Sequence, residues 1–368
     1  MEDLFAQERA AEHNVYELLK RPDEPIGTVL QAFERYRHLC QQCVFADFND
    51  AEKPEARLWL AHTEGKRYFH GALSKLRKQG GERVVETRQL IKLFLVWIKG
   101  STSYYRTYIS HLNATFGGIQ ELEEVAHHVK AEGLGESPSS PVAPELREKV
   151  LLSCHQSLIY LGDLSRYRAS EQLDKNPDYG PAIGYYGLAC ALRPSSGVGH
   201  HQRAVVALEQ RHHLRAIYHL YRAMVVAYPH PNAANNLKLE FDKVNAAWDK
   251  GELIQKGLPN DPDGPKNAMT GWFVRLHGMC YRGDTFRGYD ELERELLSQL
   301  AIVVKQPTAD GLLMRMLMVN FAAQYGASEV FQGMLSFSGR VKRLKISRTN
   351  LLHSEPHRRA PTVIFLLF

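Results

Sequence analysis

Cationic side chains recur along one stretch of the chain at the spacing of an α-helix. Lys66, His70 and Arg77 occupy positions i, i+4 and i+11, which places them within about 40° of one another around a helix. Cations that converge in this way can bind a phosphate group, which carries nearly two negative charges and three acceptor oxygens. The stretch also reads as an ordinary solvated basic face, since Arg67, Lys75 and Lys78 lie in it as well. Both interpretations stay open.

A helix long enough to carry this stripe is predicted from Arg57 onward. Residues of one helical face step along it by three or four positions: Leu58, His62, Gly65, Phe69, Leu73 and Leu76. Other helical segments flank it, and glycine pairs at 80–81 and 117–118 and prolines at 22 and 25 mark their ends. No stretch of convincing length alternates as a β-strand does. The sequence therefore predicts an all-α fold.

Two similar stretches point to a helical repeat. "AIGYYGLACALRP" begins at Ala182 and "AIYHLYRAMVVAYP" at Ala216, a spacing of about 34 residues that is typical of tetratricopeptide repeats. Alanines recur where paired helices approach closely, and a proline ends each copy. The segments that follow, from Gly199 and from Pro231, are predicted to supply the partner helix of each copy. A helical repeat is a scaffold for binding.

Segments rich in proline, glycine and serine divide the chain. Residues 1–170 are predicted to form a first helical domain that contains a mobile loop at 133–144. Residues 171–250 hold the repeats, and residues 251–330 hold further helical hairpins. Residues 331–368 do not continue the helical rhythm, and we interpret them as a divergent or truncated tail.

The motifs favour recognition over catalysis. The sequence of 368 residues has a net charge of +5, which is modest for a nucleic-acid-binding chain. It contains no phosphate-binding loop, hydrolase or kinase signature, so neither an enzyme nor a cofactor is predicted. The paired histidines lack the spacing of a zinc site, and Cys40 and Cys43 lack a second pair, so they are predicted to be packing thiols. No apolar stretch approaches the length that spans a membrane, and we expect a protein of the nucleus and cytoplasm.

The repeat region carries a more specific pattern. Its marks are Tyr185-Tyr186 before Ala189-x-x-Leu192-x-Pro194, then Ser195-Ser196-Gly197, His201-Gln202-x-Ala204-Val205, Tyr218-x-x-Tyr221-Arg222 and Pro229-x-Pro231-x-Ala233-x-x-Asn236-Leu237. Together with Leu58-Trp59 and "YLGDLSRYR" at 160–168, they resemble the N-terminal part of the Est/SMG family, in a fungal-type member. That family comprises telomerase-associated ever-shorter-telomeres proteins and SMG-type factors of nonsense-mediated mRNA decay. The resemblance covers roughly residues 30–325.

The resemblance implies a 14-3-3-like N-terminal domain that continues through tetratricopeptide-type repeats into an α-superhelix. In the decay factors the groove of that domain binds phosphorylated segments of an RNA helicase. Arg166 and Tyr167 match the place of the phosphate-binding arginine–tyrosine pair. Where the family has a lysine on the first groove helix, this chain offers His70, with Lys66 and Arg67 one turn earlier, so the identity of the phosphate ligand on that helix stays open. Asp163 is expected to pair with a nearby arginine.

Three functions follow from this resemblance as alternatives. The first is a phosphoprotein-binding adaptor of the mRNA decay machinery, with Lys66, Arg67, His70, Arg77, Arg166 and Tyr167 as candidate phosphate ligands. The second is a telomerase-associated subunit that binds telomerase RNA or single-stranded telomeric DNA, which the arginine- and histidine-rich segment around residues 200–215 keeps open. The third is a helical scaffold with neither activity.

Overall fold

The chain folds into helices throughout the part that the structure describes. The computed structural model describes residues 2–21, 24–129, 142–254, 263–282, 288–306 and 311–325. The helices are α1 (Glu2–Leu19), α2 (Ile26–Ala46), α3 (Glu52–Lys78), α4 (Val84–Thr115), α5 (Gln120–Val129), α6 (Pro144–Ser170), α7 (Gly180–Leu192), α8 (Val198–Glu209), α9 (His213–Met224), α10 (Ala233–Asp249), α11 (Gly264–Arg282), α12 (Tyr289–Val303) and α13 (311–325). Short 3-10 segments precede α3 and α4. The only β-pairing among these residues is an isolated bridge between Ser196 and Tyr228. The all-α prediction is confirmed.

Helix α3 carries the cationic stripe, and its apolar face forms as the sequence predicts. Leu58, Phe69 and Leu73 are fully buried. Gly65 lies opposite Phe33 and Trp97, so closely that a β-carbon there would approach both rings to 2.8 Å. The glycine therefore lets three helices, α2, α3 and α4, approach closely around an aromatic core. This packing fixes the rotation of α3 and thereby the direction of its cationic side chains.

The first of two units, residues 1–194, contains α1 to α7. Its helices pack mostly on their neighbours in the sequence, and α6 also packs against α4 and α3. Buried polar contacts tie these helices together. Glu55 of α3 accepts hydrogen bonds from Tyr108 of α4 and, at 2.5 Å, from Ser153 of α6, while burial raises the pKa of the Glu55 carboxyl. The position of α6 relative to α3 is thus set by specific polar contacts as well as by apolar packing.

The second unit begins at Ser195, and its described helices are α8 to α13. The segment before α8 pairs with the segment after α9: Gly197 N–H donates to the Tyr228 carbonyl at 2.9 Å, and Tyr228 N–H donates to the Ser195 carbonyl at 2.9 Å. A β-carbon on Gly197 would overlap the main-chain atoms of Ala223 and His230. The Pro-Ser-Ser-Gly signature therefore makes the sharp entry that this close approach of two main chains requires.

The buried positions of the repeat are confirmed, but the pairing of its helices differs in part from the prediction. The recurring alanines Ala182, Ala189, Ala216 and Ala223 are all fully buried. The sequence assigned the following helix as the partner of each repeat helix. In the structure α7 packs chiefly against the preceding helix α6, within the first unit, and α9 packs chiefly against the preceding helix α8. The following helix α10 also packs against α9, as the sequence predicts, so for α9 only the closer partner differs from the prediction.

Some of the sequence predictions concern segments that the structure does not describe. Most of the predicted loop at 133–144 and the whole tail at 331–368 lie outside the described residues. Cys40 and Cys43 are buried among packed helices, as predicted, and burial raises the pKa of both thiols. Among the described helices, none combines the length and the apolar character that a membrane crossing requires.

Buried histidines make the fold sensitive to acid. Burial lowers the pKa of His62 to about 3, of His155, His200 and His277 to about 4, and of His219 to about 2. Below about pH 6.5 the unfolded chain takes up protons that the folded chain excludes, so each histidine lowers the unfolding free energy by up to about 1.4 kcal/mol per pH unit. We expect the midpoint of urea unfolding to fall steeply between pH 6.5 and pH 4. A midpoint unchanged between pH 7.5 and pH 5 would contradict this.

Candidate phosphate-binding site

The cationic stripe of α3 faces the C-terminal end of α6. Lys66 Nζ lies 2.9 Å from a carboxylate oxygen of Glu171, the residue that follows α6. His70 Nδ1 lies 2.8 Å from both oxygens of the same carboxylate. Because an ionised carboxylate only accepts hydrogen bonds, His70 donates from Nδ1. Two members of the stripe therefore already hold an anion, which belongs to the chain itself.

The side chain of Arg77 contacts the main chain of the same residue, Glu171. One guanidinium nitrogen donates to the Glu171 carbonyl at 2.7 Å. Carbonyl groups at the end of a helix lack helical partners and carry partial negative charge, so a cation stabilises them. Arg77 thus holds the end of α6 against α3, about two turns of α3 beyond His70 and about three beyond Lys66.

Arg166 and Tyr167 lie beside this cluster on the last turns of α6. Two cations lie close to the Tyr167 ring, with Lys66 Nζ 5.6 Å and the Arg166 guanidinium carbon 4.9 Å from its centroid. Ring and cations attract each other in such geometry. The structure therefore brings together five of the six predicted residues: Lys66, His70, Arg77, Arg166 and Tyr167.

Arg67 is the exception. Its side chain is 70% exposed and pairs at 2.7 Å with Glu64, one turn earlier on the same helix. Lys66 and Arg67 differ by about 100° in direction because they are adjacent on a helix. The sequence did not decide between these two basic residues. In the structure Lys66 points toward α6 and Arg67 toward solvent.

Arg166 is held in place by a buried network. Its guanidinium lies 3.1 Å from the Asp163 carboxylate, so the pairing expected from the sequence is confirmed. Tyr186 of α7 donates its hydroxyl to the same Asp163 oxygen at 2.7 Å. Burial opposes the charge of Arg166, but Asp163 and Tyr186 hold the pKa of Arg166 above its usual value. The arginine is thus fixed and charged at any physiological pH.

Glu171 is the functional residue that the sequence analysis missed. Its side chain is only 8% exposed. A local signal existed, because a carboxylate at the C-terminal end of a helix is opposed by the helix dipole and so requires a cationic partner. That signal does not identify the partner, since His70 and Glu171 are 101 positions apart in the sequence.

The second unit contains a separate concentration of positive charge. Burial and the like charges of Arg215 and Arg203 lower the pKa of Arg315. The Nε atoms of Arg203 and Arg315 are buried and have no hydrogen-bond partner among the described residues. The neighbouring His200 and His219 contact each other at 3.1 Å through their Nδ1 atoms. These arginines lie on three helices, α8, α9 and α13, and together they form a surface suited to anions.

The described residues offer little support for metal binding or for a reactive cysteine. The described residues include no group of three or more histidine, cysteine, aspartate or glutamate side chains placed to hold a metal ion. Cys190 and Cys280 are half-buried, and burial raises the pKa of the Cys280 thiol to about 11, which makes it a weak nucleophile. The arrangement of α3 and α6 is suited to binding an anion.

Two family models match the chain. The model described as "Telomerase activating protein Est1" matches residues 53–172, which include the whole cationic site. The model described as "Est1 DNA/RNA binding domain" matches residues 182–347, which include the repeats and the arginines of the second unit. The two matches together cover most of the chain.

Similar proteins come from decay and telomere biology. The chain is 29% identical over 215 residues to the nonsense-mediated mRNA decay factor SMG7 of Arabidopsis thaliana, a match covering 55% of this chain and 20% of that protein. It is 27% identical over 203 residues to the telomere elongation protein est1 of Schizosaccharomyces pombe, covering 51% and 39% respectively. This chain spans about a fifth of the length of the decay-factor relatives it matches.

A solved structure shares the fold. The structure described as "Crystal structure of Est1 and Cdc13" matches with a TM-score of 0.66 at 13% identity, covering 86% of this chain and 64% of that chain. At this identity the likeness concerns the fold alone.

Proposed function

The chain belongs to the Est/SMG family, and we propose that it is a non-catalytic phosphoprotein-binding adaptor in nonsense-mediated mRNA decay. Its ligand would be a phosphorylated serine or threonine segment of an RNA helicase, and its other surfaces would bind the mRNA decay machinery. Such a protein acts in the cytoplasm and the nucleus, where its partners are. The relatives in the family include a decay factor and a telomere protein.

One observation carries the proposal: Lys66 and His70 hold a carboxylate at hydrogen-bonding distance beside Arg166 and Tyr167. A phosphate group requires the same donors and offers more charge than a carboxylate. Lys66 and Arg166, which both lie close to the Tyr167 ring, would contact phosphate oxygens, and His70 would donate a third hydrogen bond. Arg77 supports the end of α6 and would not need to touch the ligand.

Fluorescence anisotropy tests the proposal. We expect a labelled phosphoserine peptide from the partner helicase to bind at least about tenfold more tightly than its unphosphorylated twin, since a charge-assisted hydrogen bond contributes about 1.5–3 kcal/mol. Equal binding of the two peptides would refute the phospho-adaptor function.

A second candidate function is binding of telomerase RNA or single-stranded telomeric DNA. The observation that favours it is the concentration of Arg203, Arg215 and Arg315 within the residues matched by the DNA/RNA-binding family model. Oligonucleotide binding releases counterions, so its affinity should fall steeply with salt, with a logarithmic slope of about −0.7 for each phosphate neutralised. Phosphopeptide binding neutralises one group and should depend weakly on salt. Titrating both ligands at several salt concentrations separates the two functions.

A further inference from the structure

The carboxylate of Glu171 occupies the donors that a phosphate would use. It contacts Lys66 at 2.9 Å and His70 at 2.8 Å, and its side chain is almost fully buried. Burial acts to raise the pKa of this carboxyl, but the hydrogen bonds from Lys66 and His70 outweigh burial and lower it. Glu171 is therefore ionised at neutral pH, and the site holds an anion before any ligand arrives.

The charges around the site are balanced locally. Asp163 neutralises Arg166, and Glu171 neutralises Lys66 and also accepts a hydrogen bond from His70. An incoming carboxylate carries the same single charge as Glu171 and would have to leave water to replace it, so it gains little. A phosphate monoester carries about two charges at pH 7 and three acceptor oxygens, so it makes stronger contacts with the same donors.

Glu171 can leave the donors without unfolding α6. Its main chain is held by Arg77 and by a helix-ending motif in which Leu173 N–H donates to the Arg168 carbonyl at 3.2 Å. Gln172 completes the motif in the left-handed conformation, with φ of 52°. Displacement therefore requires only rotation of the Glu171 side chain, while the end of the helix stays in place.

We propose that Glu171 is an internal competitor that sets the affinity an anionic ligand must exceed, so that a phosphate monoester binds while a carboxylate does not bind measurably. It occupies Lys66 and His70 in the free protein, it is displaced by the dianionic phosphate, and it resists displacement by an aspartate or glutamate side chain. Because each anion has to displace the same carboxylate, Glu171 lowers the affinity for all of them by a similar factor and leaves only the stronger ligand bound. This inference rests on the proposed phosphopeptide function.

The test compares three peptides of one sequence, with phosphoserine, aspartate or serine at the central position, binding to the wild type and to Glu171→Gln. Glutamine keeps the size of the side chain but removes the competing charge. We expect affinity for the phosphoserine peptide to rise about tenfold, because the cost of breaking one charge-assisted contact is removed. The aspartate peptide displaces the same carboxylate, so its affinity should rise by a similar factor and become measurable.

Two further variants make the result decisive. Glu64→Gln removes the same charge two residues before Lys66, on another side of α3, where Glu64 pairs only with exposed Arg67 among the described residues. It should leave all three affinities unchanged. Glu171→Asp keeps the charge but shortens the reach, and it should give an intermediate gain. Thermal unfolding of each variant verifies that the fold is kept.

The outcomes distinguish the inference from the function on which it rests. If the wild type prefers phosphoserine but Glu171→Gln binds equally or more weakly, Glu171 positions the donors instead of competing for them, and only the inference fails. If only Glu171→Gln distinguishes phosphoserine from serine, the phospho-adaptor function of the wild type fails, while Glu171 is shown to block the donors. If neither protein distinguishes phosphoserine from serine, the phospho-adaptor function fails, and the inference fails with it, since freed donors created no site.

Discussion

Replacing Lys66 by glutamine should weaken phosphoserine-peptide binding by about tenfold or more, while the same change at Arg67 should alter it by less than about twofold. The two residues are neighbours in the sequence and carry the same charge, so each substitution changes the net charge equally. They differ in direction. Lys66 points to Glu171 and the Tyr167 ring, whereas Arg67 is 70% exposed and pairs with Glu64.

The size of the expected loss follows from what Lys66 contributes. A charge-assisted hydrogen bond to phosphate is worth about 1.5–3 kcal/mol, equivalent to a tenfold or larger change in affinity. An exposed pair such as Arg67 with Glu64 contributes less than about 1 kcal/mol and lies away from the site. Anisotropy titrations with the phosphopeptide at two salt concentrations measure the effect. Equal losses in the two variants would show that only the general positive field of α3 attracts the peptide.

Lys66 is a better probe of the site than Arg166. Arg166 balances the nearly buried Asp163, and Arg166→Glu would place two carboxylates together at low exposure. Breaking a buried pair in this way costs several kcal/mol of stability, so loss of binding would not distinguish recognition from unfolding. Lys66→Gln leaves Glu171 with His70 and Arg77.

The local part of the site could be predicted from the sequence, and the tertiary part could not. Helical periodicity alone placed Lys66, His70 and Arg77 on one side of α3, because the angle between residues on a helix is fixed. The resemblance added Arg166 and Tyr167. The pairing of His70 with Glu171 depends on which end of α6 lies beside α3, and that is set by packing between residues far apart in the chain.

The helix pairing of the repeats likewise could not be predicted from local sequence patterns. The two similar stretches predicted buried alanines correctly, since both α7 and α9 bury small residues at matching positions. An amphipathic helix can cover its apolar face with the preceding helix or with the following one, and periodicity looks alike in both cases. Here α7 packs chiefly on α6 and α9 on α8, both preceding helices. The sequence carried no signal that decides between them.

The second large effect concerns Gly162, where we expect Gly162→Ala to lower the unfolding free energy of the first unit by about 2–4 kcal/mol. The β-carbon would overlap the ring of Tyr186, a side chain that is fully buried and cannot withdraw into solvent. Moving the ring also pulls its hydroxyl from Asp163, to which it donates at 2.7 Å. Asp163 would then lose a partner in a site of low exposure.

Gly184→Ala is the matched control on the facing helix. Gly184 is exposed in α7, and nothing lies within 4 Å of the position that a β-carbon would take. An alanine there should stabilise the helix by about 0.5–1 kcal/mol. Urea unfolding of both variants measures the difference. A Gly162→Ala variant as stable as the wild type would show that Tyr186 adapts without loss.

A double substitution connects this stability to the phosphate site. In Gly162→Ala/Tyr186→Leu the smaller side chain makes room for the new methyl group, so the combined cost should be less than the sum of the single costs by about 1 kcal/mol or more. The hydroxyl that orients Asp163 and accepts a 3.4 Å hydrogen bond from Arg166 is nevertheless gone. We therefore expect the double variant to be more stable than the sum of the two single effects predicts. Its phosphopeptide affinity should stay below that of the wild type, because the guanidinium of Arg166 is no longer held beside Tyr167. If both the stability and the phosphopeptide affinity recovered, the role of Tyr186 would be packing alone.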